Sequence, residues 1–581
     1  MRRPTPTRPQ SVLPHPAQPL PASQPPSTSR RHQTAKVLDF QQARRERGLS
    51  QVEAAAEVGV SRSTLLGWQR RQAVGLTPAQ KAFFESPEGV QFLHTLHVAA
   101  LFVMCLCGGL GVAMVRSLLT LTGLHPLIAC SDSTLLRARR AMIEAIGSWA
   151  DSQGKTLGKT MAPKELLVAL DENFHQGLML VAMDAVSNFI LVETFADKRD
   201  AESWASVLRA SVASWPVRIV GLLGDEAKGL IRCAREQLRV LKGSDLFHVQ
   251  HEICKGAAGL LRGLRSAAKA RLEQAQKTLD GVLKAREKGL QRASRSGRPG
   301  DWSEQEGVAR QVLQSAQEEV ESVEAYQERL RTEVRALGQA YHPVDLRTGA
   351  WQSAGAVRAR LLACFEELWT LTAELNERST SRKLIGSLTK ASGVVESLVA
   401  SVRGWQQGVE ARLQTLGLSK AEQGWVRGVL LPLVYLDQVA ERGANQAEKQ
   451  TIRKVLEQVR ERALAADSPW HGWSEEMRRR VLLMAEVSAA LFVRASSMVE
   501  GRNGQLSLYH HRLHQLTPAL LKALTTIHNY VLRRPDGSTA AERFFGKKHE
   551  DLFAHLVEVM AEPARPRQRK KKERKPLLPL A

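Results

Sequence analysis

The chain has 581 residues, too many for a single hydrophobic core, so several domains are expected. Its net charge of +23 favours a polyanionic partner, nucleic acid first and an anionic membrane second, with a basic protein that has no specific partner as the alternative. The six cysteines form no CxxC pair and no His/Cys spacing of a zinc site, which favours reduced thiols in a cytoplasmic protein.

The N-terminal segment, residues 1–35, is rich in Pro, Ser, Gln and Arg. Such a composition cannot bury enough apolar surface to offset chain entropy, so we expect a disordered tail. The segment also has no apolar region typical of a secretory signal, and we therefore do not expect export.

Residues 36–75 show the pattern of a helix-turn-helix. Ser50 suits the N-cap of a short helix that ends at Gly59, and Leu65 on the following helix would face the core. The polar residues of that second helix that would contact DNA are Ser61, Arg62, Ser63 and Arg70. A helical hairpin with no role in DNA binding is the alternative.

Residues 76–160 predict a helical domain. Within it, Val98–Val115 is uncharged and just long enough to span a bilayer. The segment contains three glycines, stands alone, and has His94 and Arg116 close to its ends. We therefore expect a buried helix pair in a soluble domain and no membrane partner, with a transmembrane span as the alternative.

The next region alternates short apolar runs with helical patterns. The runs that predict β-strands are 166–170, 178–183, 189–194, 217–225 and 245–249. Helices are predicted between the last three runs, which gives the order βββαβαβ and an α/β fold. In this order the first and fourth strands lie side by side at the middle of the sheet.

Two of these strands end on an acid, Asp171 and Asp225. If the strands are neighbours, both carboxylates point to one place and repel each other unless a cation lies between them. Mg²⁺ prefers hard oxygen ligands, and two such ions support phosphoryl transfer. The sequence therefore predicts a metal site that takes a third carboxylate from elsewhere.

The best candidate for that third acid is Glu500, in a helical stretch with Asn503 one turn later. Arg502 adds a basic side chain of the kind that a phosphate-handling site needs, and we expect it to contact DNA. The alternative for each single acid is a solvated surface side chain.

Between the two parts of this site the pattern becomes helical. Apolar residues at three-and-four spacing over 256–340 predict an antiparallel coiled-coil hairpin, either an arm that contacts DNA or another subunit, or a structural spacer. Further helices follow. Residues 561–581 include RPRQRKKKERKP, a basic segment expected to be disordered and to bind phosphates.

Four motifs together resemble the DDE transposases of bacterial insertion sequences. LDENFH (170–175) is similar to the first-Asp strand of that family, and MDAVSNFILVE (183–193) to its second and third strands. GDEAKGL with DLFHVQHE is similar to the second-Asp region, and SSMVEGRN (496–503) to the SxxxEGxN that carries the final Glu. The similarity extends over roughly residues 88–548.

The resemblance implies an RNase H-like catalytic core, βββαβαβα, interrupted by a large all-α insertion. It also implies that Asp171, Asp225 and Glu500 are catalytic and bind two Mg²⁺ or Mn²⁺ ions. A DNA strand would be cut to leave a 3′-OH, which would attack target DNA. Asp245 and His248 would support the site along with Asn503; His248 could touch a phosphate or be a satisfied core histidine. Trp470 and Trp473 could stack on an unpaired base or pack the insertion.

The predicted protein is a transposase that acts on transposon ends and target DNA as a homo-oligomer, in the cytoplasm and nucleoid of a bacterium. The alternatives are a non-catalytic DNA-binding regulator or domesticated relative, and an RNase H-like nuclease without strand transfer. The predicted segments are 1–35 (tail), 36–75 (helix-turn-helix), 76–160 (helical), 161–255 (first part of the core), 256–485 (insertion), 486–560 (helices completing the core) and 561–581 (tail).

Overall fold

A computed structural model of the chain describes residues 28–66, 78–174, 177–293, 301–378, 382–442, 446–513 and 516–566. Residues 1–27 and 567–581, which make up most of the two predicted tails, and Arg70 lie outside the described residues. The chain divides into two compact units. The first comprises residues 1–105, 111–140 and 560–581, and the second comprises residues 106–110 and 141–559.

The first unit contains the helices α1 (Thr28–Glu46), α2 (Gln51–Val58) and α3, which is described over 62–66. The Ser50 hydroxyl accepts the Glu53 amide while the Glu53 carboxylate accepts the Ser50 amide, which fixes the start of α2. Gly59, with φ of 69°, ends α2 in the left-handed conformation. The core of the three helices contains Val37, Phe40, Ala43, Ala54, Ala55, Val58 and Leu65. Helix α1 includes residues 28–35, so the prediction of a disordered tail is wrong for this part of the segment.

The next helices are α4 (Pro78–Glu85), α5 (Pro87–Ala100, continued as a π-helical segment over Leu101–Cys107), α6 (Val112–Leu121) and α7 (Asp132–Thr160). Pro87–Cys107 is, within the described residues, the one helix long and apolar enough to cross a membrane, and half of its most apolar window is buried in the protein. A break at residues 108–111 separates it from α6, so the apolar segment is a pair of helices, as predicted.

The second unit contains a five-stranded mixed sheet in an otherwise helical chain. Its strands are β1 (Lys164–Asn173), β2 (Met179–Asp184), β3 (Ile190–Phe195), β4 (Val217–Gly224) and β5 (Leu241–Ser244). Their order is β3-β2-β1-β4-β5. Strands β1 and β4 are parallel neighbours at the centre, which confirms the predicted placement.

Two strand boundaries differ from the prediction. The pairing of β1 with β2 continues through Asn173, so Asp171 lies inside β1 and opposite Val181. The last strand is 241–244, and the predicted strand 245–249 is wrong, because Asp245 accepts the Phe247 amide and thereby starts a helix. His248, which was predicted to support the site, consequently lies on the first turn of that helix.

The sheet is connected by α8 (Ala201–Val212) and α9 (Lys228–Arg232, continued as a π-helical segment over Cys233–Leu238). Two long helices follow, α10 (Leu246–Ala293) and α11 (Ser303–Ala340). Ion pairs join Arg265 to Glu324 and Arg286 to Glu306, so residue numbers rise along α10 as they fall along α11. The two helices therefore form the predicted antiparallel hairpin.

The remaining helices of the insertion are α12 (Ala354–Arg378), α13 (Arg382–Ser392), α14 (Val395–Gln414), α15 (Lys420–Trp425, then π-helical Val426–Leu430), α16 (Leu431–Arg442), α17 (Gln446–Ala463), α18 (Pro469–Gly472) and α19 (Glu475–Ala490). The chain then forms α20 (Ser497–Leu513), α21 (Pro518–Tyr530), α22 (Ala540–Phe545) and α23 (Leu552–Val559). Helix α20 packs on β1 and β2, α21 packs on β3, and α14 packs on β5. The chain thus returns to the sheet after the insertion.

Candidate functional site

The site is built around the central pair of parallel strands. Ala169 on β1 pairs with Leu223 on β4, and each acid follows two residues later, so Asp171 and Asp225 lie at the same level on adjacent strands. Asp225 comes directly after β4, where its carboxylate accepts the Ala227 amide at 3.0 Å. The parallel register is therefore what brings these two acids together, as the sequence predicted.

Helix α20 brings the third acid to the same place. Glu500 lies in its first turn, and Asn503, one turn later, donates to the Asp171 carboxylate at 2.7 Å. Asn503 in turn accepts from Asn173 at 3.2 Å. These contacts fix α20 against β1, and Glu500 lies close enough to Asp171 to raise the pKa of its carboxyl, although 275 residues separate Asp225 from Glu500 in the sequence.

The electrostatics of Asp171 reflect this crowding. Burial raises the pKa of its carboxyl to about 6; Glu500 and Asp225 raise it as well, while the Glu172 amide and His248 oppose the rise. Burial also raises the pKa of Glu500, with Asp245 acting in the same direction and His248 against it. The carboxylates therefore lack full compensation from the surrounding protein.

His248 partly supplies that compensation. Its Nδ1 lies 3.1 Å from the Glu500 carboxylate and 3.3 Å from that of Asp245, and neither approach has the angles of a hydrogen bond. The close contact with Asp245 raises the pKa of His248 to about 9 against the opposing effect of burial, and Glu500 and Asp171 add to the rise. His248 is one-third exposed, so it is not a satisfied core histidine.

Asp245 is the buried acid that lies next to His248. It is 2% exposed, accepts the Phe247 amide at 2.8 Å and also accepts the hydroxyl of Ser496. Within the described residues, Asp245, His248 and Glu500 are the one group of potential metal ligands whose ligand atoms all lie within 4.8 Å of one another. A cavity of about 380 Å³ opens beside them and is lined in part by Asp225, Glu252 and Lys390.

Two neighbours of the site were not predicted. The Ser496 hydroxyl donates a hydrogen bond to Asp245. Ser496 is the first residue of the SxxxEGxN motif, four residues before Glu500, so the motif could have indicated it. Lys242 is 5% exposed and donates to the carbonyls of Gly224 at 2.9 Å and Gly243 at 2.8 Å. Burial lowers the pKa of Lys242, while nearby acids including Asp225 oppose that shift. No sequence pattern marks a lysine that lies inside a sheet.

Arg502 does not have the predicted role in DNA contact. Its side chain is 3% exposed and pairs with Glu193 on β3, with Nε and Nη2 each 2.7 Å from a carboxylate oxygen. Thr525 on α21 donates to the same carboxylate. Arg502 therefore joins α20 to the sheet and is not available to a phosphate.

The predicted DNA-contacting residues that are described, Ser61, Arg62 and Ser63, are all exposed at the start of α3. The Ser61 hydroxyl accepts the Thr64 amide, and Arg62 donates to Gln51 at 2.9 Å. Among the two tryptophans of the insertion, Trp473 is 9% exposed and packs edge-on against Trp425, as expected for a core residue. The Trp470 ring lies beside the Arg478 guanidinium.

Two protein-family models match parts of the chain. A helix-turn-helix family matches residues 40–77, and a family of unknown function (DUF6399) matches residues 426–572. No curated protein matches the chain. The first match agrees with α1–α3 and indicates that the N-terminal segment binds DNA. The second includes Ser496, Glu500 and Asn503, so a recognised family segment supplies the third acid and two of its neighbours.

Proposed function

We propose that the chain is a DNA-cleaving and DNA-joining enzyme of the DDE transposase type, with the sheet as an RNase H-like catalytic core. One observation carries the proposal: Asp171, Asp225 and Glu500, which come from two neighbouring strands and a distant helix, lie at one end of the sheet. A structural role alone does not account for acids at a place where burial raises the pKa of both Asp171 and Glu500.

The residues fit divalent cations. Carboxylate oxygens are the ligands that Mg²⁺ and Mn²⁺ prefer, and burial, together with the charges of Glu500 and Asp225, raises the pKa of Asp171, so that a bound cation would stabilise its carboxylate. Bound there, a pair of such ions would activate an attacking oxygen and stabilise a leaving oxygen in phosphoryl transfer. Asp171, Asp225 and Glu500 would hold the ions, and Asn503 orients Asp171 through its hydrogen bond.

The helix-turn-helix would supply the DNA that the acids act on. Its exposed residues Ser61, Arg62 and Ser63 lie at the start of α3, where side chains of a recognition helix reach base edges and phosphates. The large positive charge of the chain adds non-specific affinity for DNA that weakens with salt. We infer that the substrates are the ends of an insertion sequence and a target duplex.

A second candidate is a DNA-binding regulator without catalysis. It is favoured by His248, which at neutral pH carries a positive charge between Asp245 and Glu500 and so compensates part of the acidic group without any metal ion. In that case the acids would be structural, and the protein would bind DNA but never cut it.

The test uses the full-length protein, Mg²⁺ and duplexes that carry the sequences flanking its gene. We expect nicked and joined products, and we expect Asp171→Asn, Asp225→Asn and Glu500→Gln each to abolish both while DNA binding in a band-shift assay is unchanged. Glu202→Gln, an exposed acid on α8, is the matched control and should keep wild-type activity. Binding without cutting under Mg²⁺ and Mn²⁺ would establish the regulator, and cutting without joining would establish a nuclease.

A further inference from the structure

Helix α10 has an unusual distribution of charge where it leaves the site. Residues 253–272 contain five basic side chains and no acidic one. Two of the five, Arg265 and Arg271, pair with Glu324 and Glu319 on α11 across the seam of the hairpin. The other three, Lys255, Arg262 and Lys269, are exposed on the side away from the seam.

These three cations have little compensation. Lys255 has a long contact of 3.7 Å with Glu252, and neither Arg262 nor Lys269 has an ion-pair partner in the part of the chain that the structure describes. The cations are seven residues apart, about 10.5 Å along the helix at 1.5 Å per residue. Their spacing therefore places them in one row instead of around the helix.

The same row begins at the candidate active site. His248, which contacts Glu500, precedes Lys255 by seven residues. Residues seven apart on a straight helix point in directions that differ by only about 20°, so His248 belongs to the same row. From His248 to Lys269 the row extends over about 32 Å, which equals about nine base pairs of duplex. The row thus leads directly away from the acids.

Small residues separate the cations in this row. The complete row, called here the outer stripe, consists of Lys255, Gly259, Arg262, Ser266 and Lys269, with Gly263 beside it. A side chain placed at Gly259 or Gly263 would meet no atom within 4 Å, so both glycines face open space. Glycine allows another backbone to come close to the helix axis, and here the surrounding cations specify that the partner is anionic.

We propose that the outer stripe of α10 binds the phosphate backbone of duplex DNA and guides the duplex away from the acids. This inference rests on the proposed function, because it assigns the stripe to the DNA on which the site acts. It also gives the long hairpin a role in binding that its apolar seam does not supply, because the cations of the stripe lie exposed outside the seam. The partner is DNA in preference to a second copy of the chain because every charged residue of the stripe is basic and its other residues are glycine and serine.

The first experiment locates the contact by photocross-linking. The full-length protein carries p-benzoylphenylalanine at Gly263, or at the exposed Gln314 of α11 as the control, and is irradiated with a random-sequence duplex of about 30 base pairs, longer than the stripe. Because this is done in EDTA, a protein that binds but never cuts gives the same result as an active enzyme. We expect a DNA adduct at position 263 and none at position 314.

The second experiment measures the salt dependence of binding to the same duplex. Losing two phosphate contacts should reduce the slope of log affinity against log salt by about 1.8, so a fourfold rise in salt should weaken wild-type binding about 12-fold more than it weakens Arg262→Gln/Lys269→Gln. Arg453→Gln/Lys454→Gln, which removes the same charge from the exposed side of α17, should behave as wild type. Circular dichroism verifies that each variant is folded.

Three results would overturn the inference. One is a protein–protein adduct at position 263, which would make the stripe a subunit contact. Another is the absence of any adduct there while the duplex is bound. The third is an equal change of slope in both double variants, which would mean that only net charge matters. None of these depends on whether Asp225→Asn abolishes cleavage, so failure of the stripe and failure of the proposed function can be told apart.

Discussion

The buried ion pair between Glu193 and Arg502 allows the sharpest prediction from the structure. Their side chains are 0% and 3% exposed, and two hydrogen bonds of 2.7 Å join the guanidinium to the carboxylate. Because Arg502 lies two residues after Glu500, the pair fixes the turn of α20 that carries the third acid. We expect it to be required for a folded site and to make no direct contact with DNA.

Removing one partner leaves the other charge buried without compensation. Arg502→Met leaves Glu193 with only the hydroxyl of Thr525, and Glu193→Leu leaves the guanidinium without an acid; each should destabilise the sheet and α20 by about 3–5 kcal/mol. Glu193→Leu/Arg502→Met replaces both charges by apolar groups and should be close to neutral, since such replacements range from neutral to stabilising. The two single variants would then lose about 6–10 kcal/mol in sum, whereas the double variant would lose almost none. The difference is the coupling free energy between Glu193 and Arg502.

The assay is native-state hydrogen exchange of the amides in α20 and β3 with increasing urea, since a chain of two units need not unfold in one step. DNA affinity is measured in parallel on the double variant. The reasoning is refuted if Arg502→Met changes local stability by less than about 0.5 kcal/mol, the usual range of surface substitutions. A stable double variant that has lost DNA affinity would restore Arg502 to its predicted role as a DNA contact.

Two further predictions concern single side chains. Asn503→Ala removes the donor to Asp171 and should lower Mn²⁺ affinity by about 10- to 100-fold, measured by calorimetric titration, with unchanged affinity contradicting a role in orienting the acid. Burial next to Arg502 lowers the pKa of His528 from 6.5 to about 4, so the unfolded chain binds the extra proton and stability is lost as the pH falls from about 6.5 to 4. Between pH 7 and pH 5 this loss is about 2 kcal/mol, and His528→Gln should remove it from the pH dependence of urea unfolding; an identical dependence in both proteins would contradict the assignment.

Much of the central sheet could be predicted because short stretches of sequence are enough to identify its strands. The apolar runs that became β1 to β4 are short, are bounded by turn residues and contain mostly aliphatic side chains. The order βββαβ is compatible with β1 and β4 as parallel neighbours, from which the meeting of Asp171 and Asp225 follows. Chain order alone would also permit β4 beside β3, so the observed pairing of β1 with β4 is what places the two acids on neighbouring strands.

The last strand could not be predicted from such patterns. Strand β5 has the sequence Leu-Lys-Gly-Ser, and its buried Lys242 donates hydrogen bonds to the carbonyl oxygens of Gly224 and Gly243. The neighbouring DLFHV, with its aromatic and aliphatic residues, has more of the composition of a strand. Asp245 nevertheless lies at the start of α10, because its carboxylate accepts the Phe247 amide. The same carboxylate accepts the hydroxyl of Ser496, which is 251 residues away in the sequence and could not be paired with it from local patterns.

The error at Arg502 has the same physical cause. Its charge and its position beside Glu500 indicated a phosphate contact, whereas the acid that neutralises it lies 309 residues earlier. Burial of a charge depends on such a partner, and a single sequence does not reveal pairs at that separation. Asn503 could be placed near the acids for the opposite reason: one helical turn puts it on the same face of α20 as Glu500, where it donates to Asp171.

The central claim is tested most directly by measuring how Mn²⁺ binds to the full-length protein in the absence of DNA. Electron paramagnetic resonance detects the binding as a decrease in the signal of free Mn²⁺. We predict saturable binding that Asp225→Asn and Glu500→Gln each abolish while Glu202→Gln leaves it intact. Equal binding by all four proteins, or no binding by the wild type, would contradict the claim that Asp171, Asp225 and Glu500 together form a site for divalent cations.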